Sequence, residues 1–213
     1  MCTVLPMSTS YHKGNVHADM VREGSRILAE EGVDAVTLRR LAREIGIAPS
    51  SIYNHFANRK TLLATLAEEG YRRLLELEKQ AFGSAPDFKE AVKAAAREYL
   101  LFANQNQHLY RLMFSWEVSD SDIFPGLMQA GYAFINENVR RWHGKDYDTD
   151  GKFLSDYPAS MIAWASIHGL AMLVIQQNIT LAGRDEPALI KLVDDFQDSL
   201  FPALSAAQDK GTH

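Results

Sequence analysis

Apolar residues recur along this chain at three- and four-residue intervals, and no segment alternates apolar with polar long enough to make a strand. The first stripe, Met20, Val21, Ile27 and Leu28, predicts a helix from Val16 to about Glu31, with Gly32 as a left-handed stop. Thr37 is suited to cap a second helix running through Ile45, with Leu38, Leu41, Ala42 and Ile45 turned inward and Gly46 ending it. Pro49 fits the first turn of a short third helix, where its missing N–H is not needed, and Ile52 and Phe56 lie four apart on the buried side. A fourth helix starts near Asn58 and runs to about Phe82 through Leu62, Leu63, Leu66, Leu74 and Leu75. The turn cluster Gly83-Ser84-Ala85-Pro86-Asp87 marks a domain boundary. Beyond it the helical period continues over 87–105, 107–117, 123–143, 157–181 and 186–203, with an acidic, polar loop at 144–156. The expected layout is all-α: a disordered leader (1–15), a three-helix unit (16–62), a connecting helix (63–83), a helical bundle (84–204) and a disordered tail (205–213).

Charge sharpens this picture. The whole chain carries −5, which argues against a general polyanion binder. Residues 37–60, however, hold Arg39, Arg40, Arg43, Arg59 and Lys60 against the single acid Glu44, a local +4, whereas residues 61–213 net −7. A small basic unit on an acidic body points to an anionic partner bound at one end. The two short helices joined by Gly46-Ile47-Ala48 have the form of a helix-turn-helix. A second helix that enters a DNA major groove must be short, with a narrow apolar face and small polar groups outside. Pro49 to Phe56 meets that requirement: Ile52 and Phe56 anchor it, and Ser50, Ser51, Tyr53, Asn54 and His55 face outward. Arg39 and Arg40 begin the helix that would cross the phosphate backbone, and Arg59 and Lys60 begin the next.

The segment from Gly24 to Leu63 resembles the DNA-binding domain of TetR/AcrR-family transcriptional regulators. The resemblance rests on Ala29-Glu30-Glu31-Gly32, on Thr37 to Ile47, and on Ser51-Ile52-Tyr53-Asn54-His55-Phe56-Ala57-Asn58-Arg59. It implies that Thr37, Tyr53 and Arg59 hold phosphates and that Arg39, Ser50, Ser51, Asn54 and His55 lie near base edges. The family usually has lysine where this chain has Arg59 and an acid where it has Lys60, so the phosphate contact is shared between two candidates. In the second half, Tyr110-Arg111-Leu112-Met113-Phe114 and Trp164-Ala165-Ser166-Ile167-His168-Gly169 resemble the C-terminal variant named for its Trp-His-Gly signature.

That second resemblance implies a homodimer paired through the last two helices and a small-molecule pocket among the middle ones. The sequence agrees on the first point. Segment 157–181 is apolar on nearly every side and needs more cover than one small domain supplies. The last helix carries Leu189, Leu192, Val193, Phe196 and Leu200, with Leu204, as a stripe for the partner. One short reading helix also contacts too few base pairs alone. Pocket candidates are Phe102, Leu109, Met113, Phe114, Trp116, Phe134 and Trp164, with His168 as a polar contact and an entrance beside Trp116 at Ser119–Asp122. The plain alternative for each is core packing, and for His168 a satisfied core histidine. No basic cluster accompanies them, so the expected effector is an uncharged or weakly polar organic molecule rather than a phosphorylated metabolite.

Other classes are set aside on composition. The single cysteine, Cys2, rules out internal disulfides and cysteine-based zinc sites and fits a reducing cytoplasm. The stretch Tyr157–Gly183 lacks charge, but Ser160, Ser166, His168, Gln176, Gln177 and Asn178 interrupt it, so a protein-buried helix is expected rather than a membrane span. Asp146, Asp148, Asp150 and Gly151 match the first half of a calcium loop, yet Leu154 and Tyr157 occupy the positions where its ninth ligand and closing glutamate belong, so no metal is expected. Phosphate-cradling glycine loops, zinc histidine pairs and nucleophile elbows are absent, and no cofactor or enzymatic activity is expected. The sequence therefore reads as a ligand-responsive repressor bound to double-stranded DNA, with a dimeric sensor or carrier on the same scaffold as the alternative.

Overall fold

The computed structural model describes residues 16–119, 126, 129–131, 133–135, 137–138, 158–179, 181 and 183–208, of which 119, 158–160 and 201–208 are described in backbone only. The leader, the loop with Asp146, Asp148 and Asp150, and residues 209–213 lie outside it. Helices α1 (Val16–Glu31), α2 (Leu38–Glu44) and α3 (Pro49–Ile52) precede the long α4 (Arg59–Ser84). Then follow α5 (Phe88–Gln105), α6 (Gln107–Met113), α7 (Trp116–Ser119), α8 (Pro158–Ile175) and α9 (Glu186–Gln208). Described residues between 126 and 138 are helical, and no strand occurs among the described residues.

Capping explains where these helices begin. Thr37, Asn58 and Asp87 each stand in extended backbone and accept the N–H of the residue three ahead through a side-chain oxygen. Terminations need more varied devices. Gly46, at φ 72°, lets Ile47 N–H reach back to the carbonyl of Ala42 at 2.9 Å, closing α2. Gly32 also has positive φ, but its ψ of 179° is extended. It is therefore not the left-handed stop expected, but a conformation that only glycine adopts readily. At the end of α8 a glutamine, Gln177, takes φ 60°, and Asn178 N–H donates to Leu173 O at 3.0 Å. Arg111 donates to Ile175 O, and Arg184 donates to Val174 O, which also accepts the Gln177 N–H, so both side chains meet carbonyls of the last turn. So α8 stops at Ile175, short of the expected 181. The expected helix 107–117 is likewise broken at Phe114-Ser115, where Ser115 Oγ donates to Leu112 O at 2.9 Å. Helix α9 runs to Gln208, beyond the expected start of the tail.

One apolar core runs from Met20, Ile27, Leu41 and Ile52 through Leu62, Leu66 and Tyr110 to Ala171 and Val193. Helix α4 packs against α1, α5, α6 and α7, and α5 also meets α8 and α9. The α5–α9 seam is partly ionic. Lys93, only 7% exposed, donates to Asp198 at 2.9 Å, and Arg97 reaches Asp194 at 2.6 Å. These pairs turn Leu189, Val193 and Gln197 inward. Leu189 and Val193 thus belong to the chain's own core, not to a dimer face. Leu192, Phe196 and Leu200 remain half-buried on a separate stripe.

Candidate nucleic-acid interface and apolar cavity

The reading segment is built by anchoring. Ile52 and Phe56 are each 1% exposed, and burying such side chains contributes roughly 1.5–3 kcal/mol apiece. His17 of α1 stacks on Phe56 with ring centroids 4.8 Å apart. Regular α3 ends at Ile52, and the backbone then tightens, with Asn54 N–H to Ser51 O and His55 N–H to Ile52 O. This leaves Ser50, Tyr53, Asn54 and His55 exposed together with Arg39 of α2, while Ser51 is half-buried. Tyr53 is 62% exposed, so it is not a core tyrosine. Thr37 already accepts the Arg40 N–H through Oγ1 at 3.2 Å, which leaves its hydroxyl proton to donate outward.

Two of the expected phosphate contacts are placed otherwise. Arg59 turns inward: Nε donates to Val36 O at 2.8 Å, one terminal nitrogen to Val33 O at 2.7 Å, and the other pairs with Glu117 of α7 at 3.2 Å. Its fork ties the turn before α2 to the helical body. Arg40 lies back on α1, with Nη1 donating to Glu31 at 2.8 Å and Glu44 nearby. The carbonyls and carboxylates close at hand are acceptors that hold a guanidinium more firmly than solvent does. On α2 and at the start of α4, Arg39, Arg43 and Lys60 are exposed cations.

A cavity of about 240 Å³ lies between α4, the segment 130–135, α5 and α8. It is lined by Tyr71, Arg72, Leu74, Leu75, Glu78, Tyr99, Phe114, Ala130, Gly131, Phe134, Ile135 and Trp164. Of the eight expected lining residues, Phe114, Phe134 and Trp164 are there. His168 sits behind the wall, 4.4 Å from Phe114 and stacked on Trp164 at 5.4 Å, measured between ring centroids. Its Nδ1 lies 2.9 Å from the hydroxyls of both Tyr99 and Tyr110, and Tyr110 donates to Tyr99 at 3.1 Å. One arrangement satisfies this set: Tyr110 donates to Tyr99, and Tyr99 donates to a neutral imidazole. Burial lowers the His168 pKa and raises those of both phenols, which keeps all three uncharged.

The remaining candidates are elsewhere for packing reasons. Phe102 and Met113 are fully enclosed core, Phe102 beneath the Arg73 guanidinium and Met113 against Gly70. Leu109 borders a second, more polar cavity of about 380 Å³ between α1, α4 and residues 104–109. Trp116 is 82% exposed, because the break at Phe114-Ser115 swings α7 away from the cavity. The α4 wall is not among the lining positions expected from the sequence. Tyr71, Leu74, Leu75 and Glu78 recur at i, i+3, i+4 and i+7, so one carboxylate shares a stripe with two leucines. That stripe was the available signal. Burial pushes the Glu78 carboxyl up to about 8.

A basic three-helix end that exposes one anchored reading segment, fused to a helical body holding a cavity, defines a helix-turn-helix regulator. Residues 21–66 match the family described as bacterial regulatory proteins, tetR family, and residues 92–196 match a tetracyclin repressor-like C-terminal domain. The chain belongs to the TetR family. Among solved structures it is similar to a protein of unknown function from Rhodococcus sp. RHA1, with TM-score 0.71, 23% identity and coverage of 90% of this chain and 98% of that one. It is also similar to a tetR-family regulatory protein from Rhodococcus RHA1, with TM-score 0.61, 16% identity and coverage of 87% and 97%. A third is the transcriptional regulator FadR from Bacillus subtilis, solved with stearoyl-CoA, with TM-score 0.62, 13% identity and coverage of 85% and 96%. Among the described residues no helix is long and apolar enough to cross a membrane.

Proposed function

We propose that this regulator is a homodimeric repressor that leaves its operator when a small organic effector fills the cavity beside α4. The observation that carries this reading is the continuity of α4. Its start follows directly on the reading segment, and its Tyr71–Glu78 face forms one wall of the cavity. A ligand that shifts this helix therefore moves the reading segment with it, through a contiguous rigid element. The Arg59 fork adds a second connection through Glu117 and α7. A coupling of roughly 1–3 kcal/mol suffices for a 5–150-fold loss of operator affinity. Direct base readout falls to Arg39, Ser50, Asn54 and His55, with Ser51 at the edge of the face; backbone contacts fall to Thr37, Tyr53 and Lys60.

The Bacillus subtilis regulator, similar in fold, was solved in complex with stearoyl-CoA, which supports a ligand-responsive reading. Dimerisation is supported by α8, which leaves Ile162 (40%) and Leu173 (42%) exposed on one stripe with Ala165. The test is selection of genomic DNA fragments by the purified protein, followed by footprinting. An inverted repeat with half-sites near one helical turn apart, or a multiple of it, is expected. Uniform retention of all fragments, at any salt concentration, would refute operator recognition.

A further inference from the structure

We infer that the ligand of the α4 cavity is a small apolar organic cation, a ring or short chain bearing a protonated amine that pairs with the Glu78 carboxylate. This rests on the reading of the cavity as the effector site and names the chemistry of its occupant. The walls are mostly leucine and aromatic surface, and the volume of about 240 Å³ lies below the ~300–1,000 Å³ usual for drug-sized ligands, so the apolar body is small.

The polar groups of the wall decide the charge. Arg72 is held by Glu68 at 2.8 Å and by Glu69, so its charge is already met. The Tyr71 hydroxyl donates to Met113 O at 3.2 Å, and the Tyr99 hydroxyl belongs to the Tyr110–His168 chain. Glu78 is the exception: no cation or hydrogen-bond donor meets its carboxyl among the described residues, and desolvation alone sets its proton affinity. Glu78 is half-buried in this apolar wall, and closing a ligand over its unpartnered carboxyl is costly unless an ion pair offsets the lost solvation. A carboxylate or phosphate ligand finds no unspent cation among the described residues of this wall. A neutral apolar ligand would shut the carboxyl away still unpaired.

The proton gives the inference a signature. With its affinity pushed up to about 8, Glu78 is mostly protonated at neutral pH, so pairing with an ammonium group must expel that proton. Among the described residues, the other groups facing it hold their protonation state there. Tyr99 and Tyr110 are pushed upward by burial, His168 is pushed downward, the Arg72 side chain is engaged by Glu68 and Glu69, and the described lining positions of 130–135 and Trp164 carry no titratable side chain.

The experiment is titration calorimetry of the full-length protein at pH 7 with 2-phenylethylamine, 2-phenylethanol and phenylacetate, in two buffers of different ionisation heat. The amine is expected to bind at least tenfold more tightly than the alcohol, to release close to one proton per site, and to outcompete phenylacetate entirely. Glu78→Gln should erase both the preference and the proton release while keeping the alcohol. Ala130→Trp, at the exposed edge of the cavity, should abolish amine and alcohol binding together. If the alcohol or phenylacetate binds as tightly as the amine and Ala130→Trp blocks it, the cavity is a ligand site but the cation inference falls. If no probe binds, or binding survives Ala130→Trp, the inference and the effector-site reading fall together.

Discussion

Removing the Arg59 side chain separates two accounts of what that residue does. The family resemblance makes it a phosphate contact. The structure makes it a clasp on Val33 O, Val36 O and Glu117. Hydrogen bonds to charged groups contribute roughly 1.5–3 kcal/mol each when buried. The side chain is 34% exposed, which lowers those values, and the Glu117 pair adds at most about 1 kcal/mol. Arg59→Ala should therefore cost about 2–4 kcal/mol. At ~2–4 °C per kcal/mol for a chain of this size, Tm falls by about 4–16 °C. Arg59→Lys should recover part of the loss, since one ammonium cannot span three acceptors arranged around a planar fork. The companion assay is the salt dependence of DNA binding below the melting range. Deleting a cation that neutralises one phosphate reduces the slope by ~1, and that reduction is expected for Lys60→Ala and not for Arg59→Ala. An Arg59→Ala protein that melts with the wild type, with its salt slope reduced by about one, would refute the clasp.

Glu78→Gln should stabilise the protein at pH 8. The folded-state carboxyl sits at about 8 against an unfolded value near 4.3, so the folded state binds the extra proton between those values, and wild-type stability falls as pH rises through that window. Urea denaturation at pH 5 and pH 8 checks it, with a loss on raising pH that the variant lacks. Gly32→Ala should destabilise by roughly 1–3 kcal/mol, because its φ of 86° and ψ of 179° suit glycine alone, and its new Cβ would lie 3.2 Å from the His108 ring. Leu173→Asp should leave the protomer folded, since this side chain already faces solvent there, while sedimentation shifts from dimer to monomer. Trp116→Ala should preserve amine binding and Trp164→Ala should weaken it, as calorimetry can show, because only Trp164 lines the cavity.

The local structure of the DNA-binding end was written into short stretches of sequence. Thr37 and Asn58 as caps, Gly46 as a stop, Pro49 as a first-turn residue and the Ile52–Phe56 pair each act within a few residues of themselves. Their effects do not depend on distant contacts, so the helix order and the exposed face of Ser50, Tyr53, Asn54 and His55 were legible from the chain alone. What lay beyond was set by neighbours far away in sequence. Arg59 was diverted by carbonyls 23 and 26 residues earlier and by a carboxylate 58 residues later. Leu189 and Val193 looked like any other members of an apolar stripe until the ion pairs of Lys93 and Arg97 fixed the rotation of α9. Trp116 left the pocket because a break at Phe114-Ser115 redirected α7. Periodicity identifies which residues seek burial, but several faces of one helix can satisfy it. Only the packing of α4 against α5, and of α8 and α9 against α5, selected one face of each and left the Glu78 carboxyl facing an apolar cavity.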